Sequence, residues 1–444
     1  MYSNGEIKGN AYPISDVAGN EWKSFAMYTV EARAIPNMID GLKPVQRFYL
    51  YSSILNSRRD FKKVSAVSGI ISDYGYNHGE SSAASAGQLM ASTWNNNICL
   101  IEGRGSFGTR LVQEAGASRY VYTRLHDNFS KFIKDTDLSP VHDDPEHEPP
   151  AFYLPVIPIV LANGTKGIAT GFATNILPRD PQNLIEACKE YLEKGSIKDP
   201  IRVKFPEFEG AVEYDDSNNR YEVLGIFKKK GKTVLIIEEV PYGFDRESYI
   251  QVLDKLEDTG EIVSYEDQCD KDGFKFEVKL KQNLSASWKD TKIIQKFKLS
   301  KFVSENLTVI GYDGKLREYK DARDLVKDFC DYRLGILQKR IDKKIEALEE
   351  ENRWLKVKMQ FILGVLDSRI QFKDMSKAEV SDRILDQTDA IDSDIDRLLR
   401  INLLSLTEEM VCELSQQQKE TKKELQAWNE TTPKDQFLSD IASI

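Results

Sequence analysis

Positive charge is scarce in this chain of 444 residues, where 61 Lys and Arg face 71 Asp and Glu for a formal net charge of −10. A protein that holds a polyanion by its overall charge is thereby excluded, because the electrostatic attraction to phosphates comes from Lys and Arg. A local basic patch is not. Cysteine is sparse as well: Cys99, Cys188, Cys269, Cys330 and Cys412 stand far apart with no C-x-x-C pair. That argues against a zinc ribbon, a redox couple or a disulfide framework and suits a reducing cytosol. Of the four histidines, His142 and His147 fall at the acidic, proline-rich stretch DDPEHEPP. With no second cluster of ligands, this stretch reads as a solvated linker, and no metal site is expected in the chain. Long apolar runs are also missing. The best, Ala151 to Ala162, is short and broken by Pro155 and Pro158, too short to span a bilayer. The polar start MYSNGEIKGN has no signal-peptide pattern. The expectation is a soluble, cytoplasmic protein with no membrane partner.

Against this acidic background the stretch from Glu31 to Lys63 is basic. Arg33, Lys43, Arg47, Arg58, Arg59, Lys62 and Lys63 outnumber Glu31, Asp40 and Asp60, which makes one polyanion-facing surface while the acidity gathers in the C-terminal half. The length allows about three domains. Pro44 marks the first turn of a helix whose apolar stripe is Val45, Phe48, Tyr49 and Leu55. A second helix is predicted from Lys62 to Ser72, and a third, rich in Ala and Ser, follows Gly79. Three short helices with a basic turn fit a helix-turn-helix unit. From about Pro181 to Ala322 helical and strand patterns mix, and Lys232 to Gly243 reads as a strand ending in a proline turn. Leu334, Ile341, Leu348, Leu355 and Ile362 then recur every seven residues, with Ile345, Met359 and Leu366 in a second row that Asn352 interrupts. This predicts a coiled-coil helix from about Leu325 to Phe372, roughly 70 Å long at 1.5 Å per residue. Thr407 is placed to cap a returning helix that opens on Glu408 and Glu409.

The segment with most chemical content is GRGSFGTRLVQEAGASRYVYTRL, Gly103 to Leu125. A glycine-rich loop and a run of small residues precede Arg119 and Tyr120. A phenol with a pKa of about 10 is almost wholly protonated at neutral pH, so a nucleophilic tyrosine needs assistance. An adjacent guanidinium can favour both the phenolate and a phosphoryl group. Tyr122 is the local rival but lacks an arginine before it. The same loop fits G-x-G-x-x-G after the strand-like ICLIE, which would suit a dinucleotide. That motif requires a helix to open on the glycines, and TRLVQEAGAS shows no sustained helical period.

The order of glycine loop, small residues and Arg-Tyr resembles the active-site segment of type IIA DNA topoisomerases. Three further segments carry the resemblance. IPNMIDGLKPVQR, Ile35 to Arg47, resembles the family signature that leads from an IP dipeptide into DGLKP and a terminal arginine. SDYGYNHGES, Ser72 to Ser81, resembles its Y-[HP]-H-G segment, with Asn77 where eukaryotic members carry another histidine. AFYLPVIPIVLANGTKGIATGFATNI, Ala151 to Ile176, resembles the segment whose GI isoleucine wedges between bases. KTVLIIEEVPYG is similar to a strand and turn of the family's tower domain. LLRINLLSLTEEM and TTPKDQFLSDI resemble segments near the end of the cleavage core.

The resemblance implies a gyrase A-like breakage-reunion subunit of α+β multidomain fold: a winged-helix (helix-turn-helix) domain, an α/β tower and a long antiparallel coiled coil with a small helical dimer gate. The corresponding boundaries are an arm over 1–30, the cleavage domain over 31–145, the tower over 146–324, coiled coil and gate over 325–430 and a tail over 431–444. Tyr120 is then the nucleophile, with Arg119, Arg33 and His78 as catalytic partners. Lys43, Arg47 and Ile168 are the DNA-binding residues, Ile168 as the intercalating wedge. A homodimer on double-stranded DNA is implied. Neither a GHKL nucleotide-binding motif nor an acidic Toprim cluster is recognisable, so ATP and Mg²⁺ are expected on a separate ATPase/Toprim subunit. The location implied is the cytoplasm, that of a bacterial host if the gene is phage-borne. The rivals are a dinucleotide-dependent enzyme and a noncatalytic DNA-binding coiled-coil scaffold.

Overall fold

Pro44 fixes φ at the first turn of a helix whose open end is capped by Gln46, which accepts the Lys43 backbone N–H at 2.9 Å. This helix, Pro44–Asn56, buries Phe48, Tyr49 and Leu50. The Ala- and Ser-rich helix Glu80–Met90 lies against it, and a side chain at Gly87 would collide with the Tyr49 ring. The Tyr49 hydroxyl is paired with Thr123 at 2.6 Å. In the computed structural model, residues 2–3, 6–7, 19 and 22–444 are described, apart from 232, 282–287 and 374.

The predicted second helix is shorter than its apolar spacing suggests. Lys62 and Lys63 form a strand paired with Tyr122 and Thr123, and helix runs only over Val64–Gly69 before a 3-10 turn at Ile71–Tyr74. Cross-strand pairing decides the conformation there. The resulting antiparallel sheet has the order Lys62–Lys63, Tyr122–Leu125, Ile101–Arg104.

Beyond it the chain forms a hairpin, Thr165–Ile168 with Ala173–Ile176. A four-stranded antiparallel sheet follows, ordered Ile226–Lys230, Val234–Glu239, Phe276–Leu280, Ile262–Asp267. The helix Arg246–Asp258 covers it, burying Tyr249 and Leu253 with Leu235, Ile237, Phe276 and Phe297. Arg110 ties the glycine loop to this sheet. Its guanidinium meets Glu239 at 2.8 Å and lies 5.1–5.3 Å from the ring centres of Phe208, Tyr242 and Phe274.

The chain divides into two compact units, residues 1–331 with 441–444, and residues 332–440. The helix Ala322–Leu366 starts in the first unit and, at 1.5 Å per residue, runs about 68 Å. It stops short of the expected Phe372, because Ser368 takes a left-handed φ of 60° and Ile370 folds back onto the Gly364 carbonyl at 2.8 Å. In the second unit Ile341, Leu348, Leu355 and Ile362 are buried, as their seven-residue spacing requires, whereas Leu366 is exposed. Thr407 caps the helix Glu408–Glu430 by accepting the Met410 N–H at 3.2 Å. Lys344 meets Glu424 at 3.0 Å and Leu414 joins the cluster around Leu355 and Ile362, so the two helices run antiparallel. The segment 431–440, expected as a tail, belongs to this unit. Its helix Pro433–Ala442 sends Asp440 to Arg333 at 2.9 Å and to Arg340 at 2.7 Å.

Candidate nucleic-acid cleavage site

Gly105 and Gly108 adopt φ of 116° and 79°, a region that side chains with a Cβ rarely enter. They let the chain leave the strand Ile101–Arg104 and double back. The doubled loop is then pinned from several sides. Gly116 N–H reaches the Ser106 carbonyl at 2.9 Å, the Phe107 carbonyl accepts from Trp94 Nε1 at 3.1 Å, and Gln88 Nε2 donates to the Gly116 carbonyl at 2.6 Å. Val64 N–H holds the Val121 carbonyl at 3.0 Å, and Val121 is buried. Between these anchors the chain turns, and Tyr120 projects with 69% of its surface exposed. The Arg119 guanidinium lies 4.7 Å from the Tyr120 ring centre. No helix opens on the glycines: residues 109–121 are bend, turn or irregular backbone. A dinucleotide pyrophosphate would find no helix N-terminus there, so that rival loses its structural basis.

Tyr122 sits differently. It is part of a strand, with Lys63 and Arg104 as its lateral partners. Its neighbourhood is basic: Arg58, Arg59, Lys62 and Lys63 are all exposed or half-buried, and the Phe61 ring lies 4.6 Å from Arg124 and 5.9 Å from Arg104. The sequence foresaw this turn as a patch but not Arg104 and Arg124, which fall outside the basic window.

A second group gathers around His78, one residue ahead of Gly79, which caps the helix Glu80–Met90. Arg33 Nη2 lies 3.4 Å from His78 Nδ1, and the Tyr28 hydroxyl lies 2.9 Å from Nε2. Partial burial, then the nearby Arg33 charge, lowers the His78 pKa from its ordinary value. Arg33 belongs to a five-residue π-helical stretch, Val30–Ala34, a rare geometry often found at functional sites. Asn77 is exposed beside this group.

The third group is the hairpin that carries Ile168. Lys43 Nζ donates to the Lys166 carbonyl at 2.8 Å, and burial lowers the Lys43 pKa from its ordinary value. Ile168, at the hairpin end, is 80% exposed and Phe172 beside it 51%, so neither is a core residue. Gly167 packs directly on the Ala34 backbone, where a Cβ would fall on the carbonyl oxygen. Arg33, Lys43, Lys166 and Lys301 line one cavity of about 940 Å³. Gly167→Ala is expected to cost about 1–3 kcal/mol by overpacking and to pull the hairpin off the Arg33 stretch. A thermal unfolding curve superimposable on the parent would contradict this.

Arg47 lines a cavity with Tyr28 and His78 but makes no hydrogen bond to either. Its guanidinium is buried, bound to Asp40 at 2.8 Å and to the Leu42 carbonyl at 2.8 Å. These contacts are internal, and Asp40 also accepts the Leu42 and Tyr153 backbone N–H groups. Within the chain no hydrogen bond, ion pair or ring contact joins Tyr120 to Arg33, His78, Lys43 or Ile168 among the described residues. Tyr28, Lys166 and Lys301 were not foreseen; Tyr28 lies 50 positions from its histidine, and no local signal announces it. The described residues contain no group of three or more His, Cys, Asp or Glu able to hold a metal ion, and no described helix is long and apolar enough to cross a membrane.

Residues 33–443 match the family of A subunits of DNA gyrase and topoisomerase IV. The DNA topoisomerase medium subunit of Enterobacteria phage T4 is 41% identical over 443 residues, covering 98% of this chain and 99% of that protein. DNA topoisomerase 2 of Plasmodium falciparum is 29% identical over 97% of the chain, which spans only 34% of that relative's length. The crystal structure of the Plasmodium falciparum topoisomerase II DNA-binding, cleavage and re-ligation domain aligns with a TM-score of 0.83 at 28% identity, over 96% of this chain and 63% of that one. The chain therefore belongs to the gyrase/topoisomerase IV A-type family. Its mixture of bacterial and eukaryotic motif features, which by resemblance points to the medium subunit of a T-even phage topoisomerase, agrees with the similarity to the T4 protein.

Proposed function

We propose that this chain is the DNA-cleaving subunit of an ATP-dependent type II DNA topoisomerase. It makes a transient double-strand break through a 5′-phosphotyrosine link, lets a second duplex pass and religates, giving relaxation and decatenation. The observation that carries this reading is Tyr120, exposed on a loop pinned at both ends, with Arg119 against its ring. In the reaction the Tyr120 oxygen bonds to phosphorus while the bond to the 3′ oxygen breaks, leaving a 3′ hydroxyl. The ester keeps the energy of the broken bond, so religation is the reverse step. Arg119 and Arg33 balance charge on the phosphoryl group, and His78, held by Arg33, belongs to the hydrogen-bonded group beside it. Lys43 follows the backbone and Ile168 unstacks a base step.

In this reading the three helices and three-stranded sheet form a winged-helix domain, the later sheets a tower, and the antiparallel helices of residues 332–440 a coiled coil with a dimer gate. Two copies act together on one duplex, each breaking one strand. ATP and Mg²⁺ belong to a separate ATPase/Toprim subunit, the metal polarising the phosphate when bound. The site of action is the cytoplasm, of the bacterial host for a phage-borne gene.

The test mixes the chain with its ATPase partner, Mg²⁺, ATP and supercoiled plasmid, stops the reaction with detergent and maps the residue joined to the DNA 5′ end. Linkage at Tyr120 supports the proposal. Linkage at Tyr122 would move the nucleophile, and absence of any linked residue would favour a noncatalytic scaffold. Ile168→Ala, which removes exposed surface only, is expected to leave the unfolding free energy within about 0.5 kcal/mol of the parent. It should also reduce DNA bending, as read by fluorescence transfer between labelled duplex ends, and unchanged bending would remove Ile168 from the wedge role.

A further inference from the structure

Tyr28 stands outside every motif that points to the site, yet its hydroxyl is 2.9 Å from His78 Nε2 and its ring centre 5.7 Å from the Arg33 guanidinium. Arg33 Nη2 faces the other ring nitrogen, Nδ1, at 3.4 Å. A guanidinium has only donors, so Nδ1 has to present its lone pair. A neutral imidazole with a lone pair on Nδ1 carries its proton on Nε2, where it points at the Tyr28 oxygen. Tyr28 thus accepts from His78 and retains its own O–H to donate. Tyr28 is 41% exposed and no residue of its helix, Lys23–Thr29, is buried, so its hydroxyl is not enclosed in a core.

The other groups around His78 leave this arrangement intact. The edge of Tyr76 closes the ring from a further side at 5.3 Å between centres. Glu31, Arg47, His142, Asp144 and His147 line the same cavity of about 410 Å³, and none of them hydrogen-bonds to His78.

We infer that Tyr28 is a positioning residue of the cleavage centre: it holds His78 as the Nε2–H tautomer and extends the hydrogen-bond chain by one donor toward the DNA phosphate. The inference rests on the cleavage function proposed above. It differs from a packing role because Tyr28 acts through a hydroxyl whose removal leaves the ring, and its contact with Arg33, in place.

The experiment compares Tyr28→Phe, His78→Ala and the double variant in the full chain, reconstituted with the ATPase partner on plasmid DNA. The rate of detergent-trapped covalent complex is followed alongside affinity for a short duplex. Tyr28→Phe is expected to slow complex formation roughly tenfold to a hundredfold, with duplex affinity within about twofold of the parent. The double variant should be no slower than His78→Ala alone, since two residues acting as one unit lose their effect once. An unchanged rate in Tyr28→Phe overturns the inference. So do losses that multiply in the double variant, or a loss of duplex affinity that accounts for the slower rate. A Tyr120→Phe control that still gains a covalent link would instead defeat the proposed function, so the two failures are distinguishable.

Discussion

Tyr120→Phe is expected to abolish covalent attachment to DNA, lowering cleavage by about 10⁴-fold or more, as removal of a nucleophile does, while leaving the fold untouched. The asymmetry follows from geometry. The Tyr120 side chain is exposed, its hydroxyl has no hydrogen-bond partner among the described residues, and the contact with Arg119 is to the ring, which phenylalanine keeps. Stability should therefore change by no more than about 0.5 kcal/mol. Duplex affinity should persist, because the cations of the 58–63 turn, Lys43 and Lys166 are unaltered. Tyr122→Phe is the matched control. Its residue is held in a strand between Lys63 and Arg104, and cleavage should survive its loss. Denaturing gels of end-labelled DNA with both variants decide the matter; a covalent band in Tyr120→Phe that vanishes in Tyr122→Phe would reverse the assignment.

Local signals carried the reading far around Tyr120. Glycines at 105 and 108, small residues at 115–118 and the buried Val121 all leave marks in sequence, since a reversing loop needs positive φ and close packing. The seven-residue recurrence through Ile341, Leu348, Leu355 and Ile362 was equally legible, because burial of one helical face is a periodic demand. What stayed hidden depends on distant partners. Lys62 and Lys63 continue a helical pattern in sequence, but strand pairing with Tyr122 and Thr123 overrides it. The position of Arg110 is likewise set by Glu239, 129 residues away, and by a cage of aromatic rings. Tyr28 is one of 19 tyrosines until the fold brings it to His78. The helix ends near Leu366 because Ser368 takes a left-handed φ and Ile370 packs back on Gly364, a contact that the seven-residue recurrence does not announce.

Arg47 is the sharpest case, because a guanidinium that contacts phosphate and one that holds a loop look identical in sequence. Arg47→Ala is expected to destabilise the first unit by about 3–5 kcal/mol, the cost of leaving a buried charge without its partner. The charge is Asp40, fully buried and already accepting two backbone N–H groups, so it has no route to water. The loop at stake runs through Gly41 to Lys43 and orients the Lys43 ammonium toward Lys166, so cleavage should fall along with stability. Arg47→Lys keeps the charge but loses the forked contact to Asp40 and the bond to the Leu42 carbonyl, and should give a smaller loss of the same kind. Urea unfolding followed by tyrosine and tryptophan fluorescence measures both. Duplex affinity of the folded protein, measured across a salt series, supplies the opposing outcome. A direct phosphate contact by Arg47 would in addition reduce the salt dependence by about one unit of slope, and that result would show that the ion pair with Asp40 opens when DNA binds.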